Sequence, residues 1–553
     1  MSVRRGRAWG AIAATTVLTA GVVPGGVTLA RAASQRTATA AAADVLGAAD
    51  AAAVNAVVAW KPCTSGALKS AGAVCGTITV PMNYRSPQGA KVHLAVAMVR
   101  HKVPAAKYQG VMLVNPGGPG GSGLVFATFG SFVPNHVGDA YDWIGFDPRG
   151  VGASTPAVSC DPNYAAGPRP PYLPSTAAIV KTWLAKAKAY AAACKAHTGA
   201  TLLANLKTMD VVRDMDRIRI ALGQKRINYY GFSYGTYLGQ VYATNYPSRV
   251  RRFVLDANVD PRKVWYNANL DQDVAFEKVM KLFFAWIAKY DRVYHLGATG
   301  AVVEKNFYAE RDRLAKAPAG GVVGGSEWTD IFLTAGYSQA AWEGLASLWA
   351  TYESAHGAQP LVDEYAASAG VGDDNGYAIY NAVQCTDTQW PTRWAQWQRD
   401  NTRVNRAAPY ETWANAWYNA PCLYWPAKAG TRPVVNGAAA PPMLLLSETL
   451  DAATPFTGSL EVRRRFPRAV LIATRGGTTH ANSLNGLACV DTRVAAYLAT
   501  GRLPKRLAGH GADVTCTAAP QPVPTSVQSP AAARAALLAP PVRPAAGPAV
   551  PRW

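Results

Sequence analysis

Charge is scarce in this chain and unevenly signed. Only 16% of residues are charged, and 34 acidic side chains face 55 basic ones, leaving a formal +21. The bases are scattered, however, with no basic tract beyond Arg463-Arg464-Arg465 and no recognisable nucleic-acid motif, so the excess excludes a nucleic-acid partner. It describes a solvated surface, with loose adhesion to an anionic cell envelope as the second reading. Histidine is rare too. The eight histidines form no cluster and the eight cysteines form no Cys-x-x-Cys pair, which excludes the usual zinc frameworks. No metal and no cofactor is expected. Past Ala30, no apolar run approaches the roughly 18 residues of a membrane span, so stable membrane insertion is not expected either. What remains is a globular composition, 49% hydrophobic, with ample material for a core.

Arg4, Arg5 and Arg7 precede an apolar stretch that ends in Ala30-Arg31-Ala32. A charged start, an apolar middle and a small-residue cleavage site read as a secretory signal, 1–32, and Pro24, Gly25 and Gly26 break the stretch as a membrane anchor. The mature protein is therefore expected outside the cell, and as a monomer. Residues 33–58 are Ala-rich, as in a pro-segment or linker, so a zymogen is expected; residues 518–553 are Pro/Ala-rich and read as a disordered tail. An even cysteine count in an exported chain points to disulfides. Sequential pairing closes the shortest loops: Cys63 with Cys75, Cys160 with Cys194, Cys385 with Cys422, and Cys489 with Cys516.

The segments between these tails alternate. Residues 76–84 and 92–99 read as a hairpin, and 111–114, 143–146, 227–232, 253–255, 443–446 and 470–473 as short buried strands. Helical periods cover 177–194 and 209–222. Such alternation predicts an α/β fold with a mostly parallel, eight-stranded sheet covered on both faces. Between 261 and 430 the alternation stops. The stretch is helical in character and holds 11 of the 16 tryptophans, so it reads as an inserted cap dividing a core of 59–260 and 431–517. Most of those rings are expected in the cap's own core, with some lining a pocket.

Gly231-Phe232-Ser233-Tyr234-Gly235 matches G-x-S-x-G, preceded by an apolar strand and followed by Leu238, Val241 and Tyr242 on a helical period. That is the pattern of a nucleophile elbow, in which a strained turn exposes the serine hydroxyl. A serine hydroxyl needs a base, and the base needs an orienting acid. His480 follows the strand 470–473, and the loop after 443–446 carries Asp451, with Glu448 as rival acid. Asp451 is preferred because it lies farther into its loop and precedes Thr454-Pro455. The glycine loop 118–123 also satisfies G-x-G-x-x-G, with Asp142 downstream, but export argues against a dinucleotide.

The segments NPGGPGGSG (115–123), DPRGVGAS (147–154), GFSYGTYLG (231–239), LDANVDP (255–261) and DAATP (451–455), with the His480 loop, resemble those of the secreted tripeptidyl aminopeptidases. These are α/β-hydrolases related to the proline iminopeptidases. The resemblance spans about residues 60–516. It implies Ser233 as nucleophile, Asp451 and His480 as its partners, and an oxyanion hole from the N–H groups of Gly118 and Tyr234. It also implies release of short peptides, typically tripeptides, from free N-termini. Proline iminopeptidases carry His at the start of the glycine loop, where this chain has Pro116, which favours the tripeptidyl branch. A carboxylesterase or lipase with the same triad is the alternative. An exopeptidase must meet the substrate α-ammonium with a carboxylate. The cap offers Glu343, beside Trp342, and Asp387, beside Cys385, and the cross-linked position is preferred.

Overall fold

The central sheet runs in the order β1-β2-β3-β5-β4-β6-β7-β8-β9-β10 in the computed structural model, which describes residues 58–64, 66–355 and 357–528. The strands are β1 (Lys61–Pro62), β2 (Val74–Pro81), β3 (Lys91–Val99), β4 (Val111–Asn115) and β5 (Asp142–Phe146). They continue with β6 (Ile227–Phe232), β7 (Val250–Asp256), β8 (Leu444–Glu448), β9 (Val470–Arg475) and β10 (Val514–Thr517). From β5 and β4 through to β10 every pairing is parallel, while β1, β2 and β3 add an antiparallel edge. The signal reading, most of the pro-segment reading and the part of the tail beyond 528 fall outside the described residues.

The two faces of the sheet feed two apolar cores, and strand alternation sorts the residues between them. Val111 and Leu113 of β4, Tyr229 of β6 and Leu445 of β8 face one core. Met112, Val114, Tyr230 and Leu444 face the other. Because both faces are covered, these strands are apolar throughout rather than alternating with polar residues.

Ten strands replace the eight expected. The two additions are edge strands, β1 and β10, of two and four residues, mostly exposed and without an apolar run to mark them. Each lies beside a disulfide. The disulfides join Cys63–Cys75, Cys160–Cys194, Cys385–Cys422 and Cys489–Cys516, all sequence neighbours among the cysteines.

Between β7 and β8 the chain is helical, beginning with the long helix Tyr266–Lys289. Its tryptophans are mostly packed on one another: Trp286, Trp328, Trp342, Trp349, Trp397 and Trp417 are all buried. The reading of everything after 517 as disordered needs correcting. Residues 518–528 lie on the helical insertion, where Trp286 Nε1 donates to the Pro522 carbonyl at 2.8 Å and Gln339 Nε2 to that of Pro520 at 3.0 Å. Proline-rich chain is already extended, so its free carbonyls dock on side-chain donors with little ordering.

Candidate active site

β6 ends at Phe232, and the next residue, Ser233, turns the chain into the helix Tyr234–Asn245 with φ 54° and ψ −126°. A positive φ strains any residue with a Cβ and persists only when neighbours enforce it. Here the Ser233 N–H donates to the Asp256 carbonyl at 3.1 Å, and the Ser233 carbonyl accepts from Thr236 N–H and Oγ1 at 2.8 and 2.6 Å. The glycine loop presses against this turn. A Cβ on Gly117, at φ 100°, would stand 2.6 Å from the Phe232 carbonyl and 2.8 Å from Ser233 Cβ. Only glycine allows that approach, which brings the neighbouring Gly118 into the pocket of Ser233.

The loop after β5 holds the glycine loop in place. Buried Asp147 accepts from Ser122 Oγ at 2.6 Å and from the Gly123 and Ala153 N–H groups at 2.9 Å each. Arg149 is fully buried and paired with Asp214 through two 2.6 Å bonds. The charged residues of the DPRG segment are therefore scaffold.

Asp451 lies buried in the loop after β8. It accepts from Ala453 N–H at 2.9 Å, Thr454 N–H at 3.0 Å and Thr454 Oγ1 at 2.9 Å. His480 Nδ1, facing this carboxylate at 2.8 and 2.9 Å, is the donor to it. The other ring nitrogen, Nε2, is buried and has no partner among the described residues. The ring packs edge-on to Tyr337, 5.7 Å between centroids, and the His480 N–H donates to the Tyr337 carbonyl at 2.8 Å. Ser233 and His480 line one pocket, with about 860 Å³ of free space including its open mouth. Gly118 and Tyr234 line it too, and Trp265, Tyr380 and Tyr418 close it from the insertion.

Among the described residues Glu448 makes no hydrogen bond to His480. Its carboxyl accepts from Asn482 Nδ2 at 2.7 Å and Thr479 N–H at 2.5 Å, the chain on either side of the histidine. Burial, with Asp451 and Asp256 nearby, pushes it up to about 8. Of the two candidate acids, Asp451 is the one bonded to the ring.

Comparison with known proteins adds the family. A family model described as "alpha/beta hydrolase fold" matches residues 110–298, and one described as "TAP-like protein" matches 408–516. A curated tripeptidyl aminopeptidase of Streptomyces lividans is 42% identical over 85% of this chain and 89% of its own length. The chain belongs to the tripeptidyl aminopeptidase family of α/β-hydrolases. "Serine protease Hip1" of Mycobacterium tuberculosis is 30% identical, covering 81% of this chain and 89% of that protein. "Carboxylesterase B" of the same organism is 30% identical, covering 78% and 85%.

Neither carboxylate expected to meet a substrate amine lines the pocket of this tripeptidyl aminopeptidase relative. Asp387 is buried behind it. Its Oδ1 accepts from Thr208 N–H at 2.7 Å, and its Oδ2 from Thr208 Oγ1 at 2.6 Å and Trp265 Nε1 at 3.1 Å. Burial pushes it up to about 6. It caps the helix Thr208–Ala221 and orients the Trp265 ring that forms pocket wall. The neighbouring disulfide thus fixes a structural acid. Glu343 instead accepts the Thr525 N–H at 2.6 Å, under the C-terminal segment. The acids that do line the pocket are Asp260 and Asp271. Asp260 is paired with Arg262, and Asp271 with Lys263. Asp260 stood in plain view within the LDANVDP segment, whereas Asp271 sits in an unremarkable helical turn that gives no local signal.

Proposed function

We propose that this protein is a serine exopeptidase that releases short peptides, tripeptides by preference, from free N-termini through an acyl-enzyme. The observation that carries the reading is the buried Asp451–His480 pair whose free Nε2 shares a pocket with Ser233 on its strained turn. In the first half-reaction Ser233 Oγ attacks the scissile carbonyl and passes its proton to His480 Nε2. Asp451 holds the ring in the tautomer with hydrogen on Nδ1 and stabilises the imidazolium. The N–H groups of Gly118 and Tyr234 receive the oxyanion, the second being a helix-start N–H with no intrahelical acceptor. His480 then protonates the leaving amine and the C–N bond breaks. In the second half, water attacks the ester, gives its proton to His480, and releases the peptide acid and Ser233.

The exopeptidase aspect is supported by the name of the Streptomyces relative and by the helical insertion that closes over the pocket. Asp260 and Asp271 are the carboxylates we assign to the substrate ammonium, in place of Asp387 and Glu343. Asp271 is the better placed of the two, because its carboxylate is partly exposed and its single bond to Lys263 exchanges readily, whereas the Asp260 carboxylate is nearly buried and Arg262 grips both of its oxygens. We further infer that the protein is exported, since four disulfides suit an oxidising compartment.

The second reading, an esterase, is favoured by the relative named carboxylesterase B and needs no ammonium site. Rates on tripeptidyl amides with free and acetylated N-termini, set against simple acyl esters, separate the two. Faster ester turnover with no preference for a free amine overturns the exopeptidase reading.

A further inference from the structure

Gln384 is a buried polar residue, 4% exposed, in the wall of the catalytic pocket. It lies near the end of the helix Asn375–Asp387, which belongs to the insertion. The backbone under it is held on two sides. Its carbonyl accepts from Trp390 Nε1 at 2.7 Å, and the next residue, Cys385, is cross-linked to Cys422. A side chain on so fixed a base presents its amide at a defined place.

Asn269 decides which end of that amide is free. It lines the same pocket from the helix Tyr266–Lys289. Its Nδ2 donates to the Trp265 carbonyl at 3.3 Å, and a carbonyl only accepts, so the nitrogen end of Asn269 is the one turned this way. The same Nδ2 donates to the Gln384 side chain at 3.3 Å, which fixes Gln384 with Oε1 toward Asn269 and Nε2 away from it. Nε2 carries two N–H donors, and neither has a hydrogen bond among the described residues. Nor is the amide sealed into apolar packing, because the pocket that Gln384 borders also holds Ser233 and His480.

Water entering a pocket satisfies such donors, but a bound acyl group displaces it. An acyl group that brings no acceptor leaves the amide stripped of water and unpaired, at a cost of roughly tenfold or more in binding. An acceptor on a substrate side chain answers this for some sequences only. A main-chain carbonyl is present in every peptide and absent from an alkanoyl chain, so a donor fixed here sorts substrates by backbone and not by side chain.

We propose that Gln384 is a specificity-determining residue that donates from Nε2 to a main-chain carbonyl upstream of the scissile bond, and so selects peptidyl over alkanoyl groups. The proposal rests on the exopeptidase reading for its natural substrate, but the acceptor it demands is testable in any acyl group bound at Ser233. Wild type, Gln384→Met and Gln384→Ala are assayed on Ala-Ala-Ala p-nitroanilide, whose side chains add no acceptor. Two analogues replace its first or its second amide by an (E)-alkene, which keeps the shape of the chain and removes the carbonyl. The p-nitrophenyl esters of N-acetylglycylglycine and octanoic acid, acyl chains of equal length with and without those carbonyls, are run beside them. Both variants should lower kcat/KM for the parent peptide by tenfold or more, yet change it less than threefold for the alkene analogue that lacks the partner carbonyl. The same loss is expected on the acetylglycylglycyl ester and not on the octanoyl ester. Each comparison is a ratio within one protein, so a partly folded preparation does not alter it, and methionine keeps the length of the glutamine chain. If wild type cleaves the esters and not the peptides, the exopeptidase reading fails, and the ester pair still decides the role of Gln384. Losses of equal size on substrates with and without the carbonyls mark a structural residue and overturn the proposal, as do unchanged rates on the carbonyl-bearing substrates in Gln384→Met.

Discussion

Glu448 accepts the N–H of Thr479 at 2.5 Å, one residue before the histidine whose ring Asp451 holds. Two carboxylates, one at the end of β8 and one in the loop that follows, thus grip one short segment, the first by its backbone and the second by its imidazole ring. Replacing them separates the roles. Asp451→Asn should lower kcat by about 10⁴-fold, because an amide no longer selects the Nδ1–H tautomer. Glu448→Gln should stay within about tenfold of wild type near pH 7, where the folded protein already carries this group mostly neutral. The reverse order in steady-state kinetics would reassign the acid.

Glu448 also predicts a pH dependence of stability. Below its ordinary value near 4.5 both folded and unfolded chains hold the proton; between there and about 8 only the folded chain does. The unfolded state then binds fewer protons, so stability falls as pH rises through that window, by on the order of 5 kcal/mol in all, and is level above it. Glu448→Gln removes this titration. Its melting temperature relative to wild type should therefore climb from pH 5 to pH 9. A constant offset across that range contradicts the assignment.

Asp387→Asn tests the corrected role of that residue. The amide keeps one acceptor for Thr208 but turns a donor toward Trp265 Nε1, so stability should drop by about 1–3 kcal/mol. The ratio of rates on free and acetylated peptides should not change. Asp271→Asn should instead leave stability nearly intact, since its lysine pair is partly exposed, and cut that ratio about tenfold or more. Should Asp387→Asn collapse the ratio while Asp271→Asn does nothing, the ammonium site is misplaced.

The elbow was legible because its demands are local. Strand, glycine, serine, glycine and helix follow one another without a break from Ile227 to Asn245, and the glycines are required by contacts as short as 2.6 Å. The order of the Asp451 and His480 loops was legible because parallel strands present their following loops at one edge. The roles of the insertion's acids were not. Asp387 is defined by Thr208, 179 residues away in sequence, and no helical period in either segment reports that meeting. The edge strands β1 and β10 escaped for the opposite reason: they are too short and too exposed to carry an apolar pattern.

The segment 518–528 gives the last prediction. Trp286 is buried against Phe283 and Trp342, and its indole N–H finds its acceptor in the Pro522 carbonyl. Truncation after Thr517 keeps the Cys489–Cys516 disulfide but takes that acceptor away. An unpaired buried donor costs about 1–3 kcal/mol, so the truncated protein should melt several degrees lower. Catalysis should be nearly unchanged, because the segment's hydrogen bonds go to Trp286, Gln339, Glu343 and the Arg475 carbonyl, none of which lines the pocket. Trp286→Phe removes the donor while keeping an aromatic ring. In that background truncation should cost distinctly less than in wild type, a coupling that a double-mutant cycle on thermal stability reads directly. Fully additive losses would mean that the segment stabilises the protein by covering apolar surface alone, and that the tryptophan hydrogen bond contributes nothing.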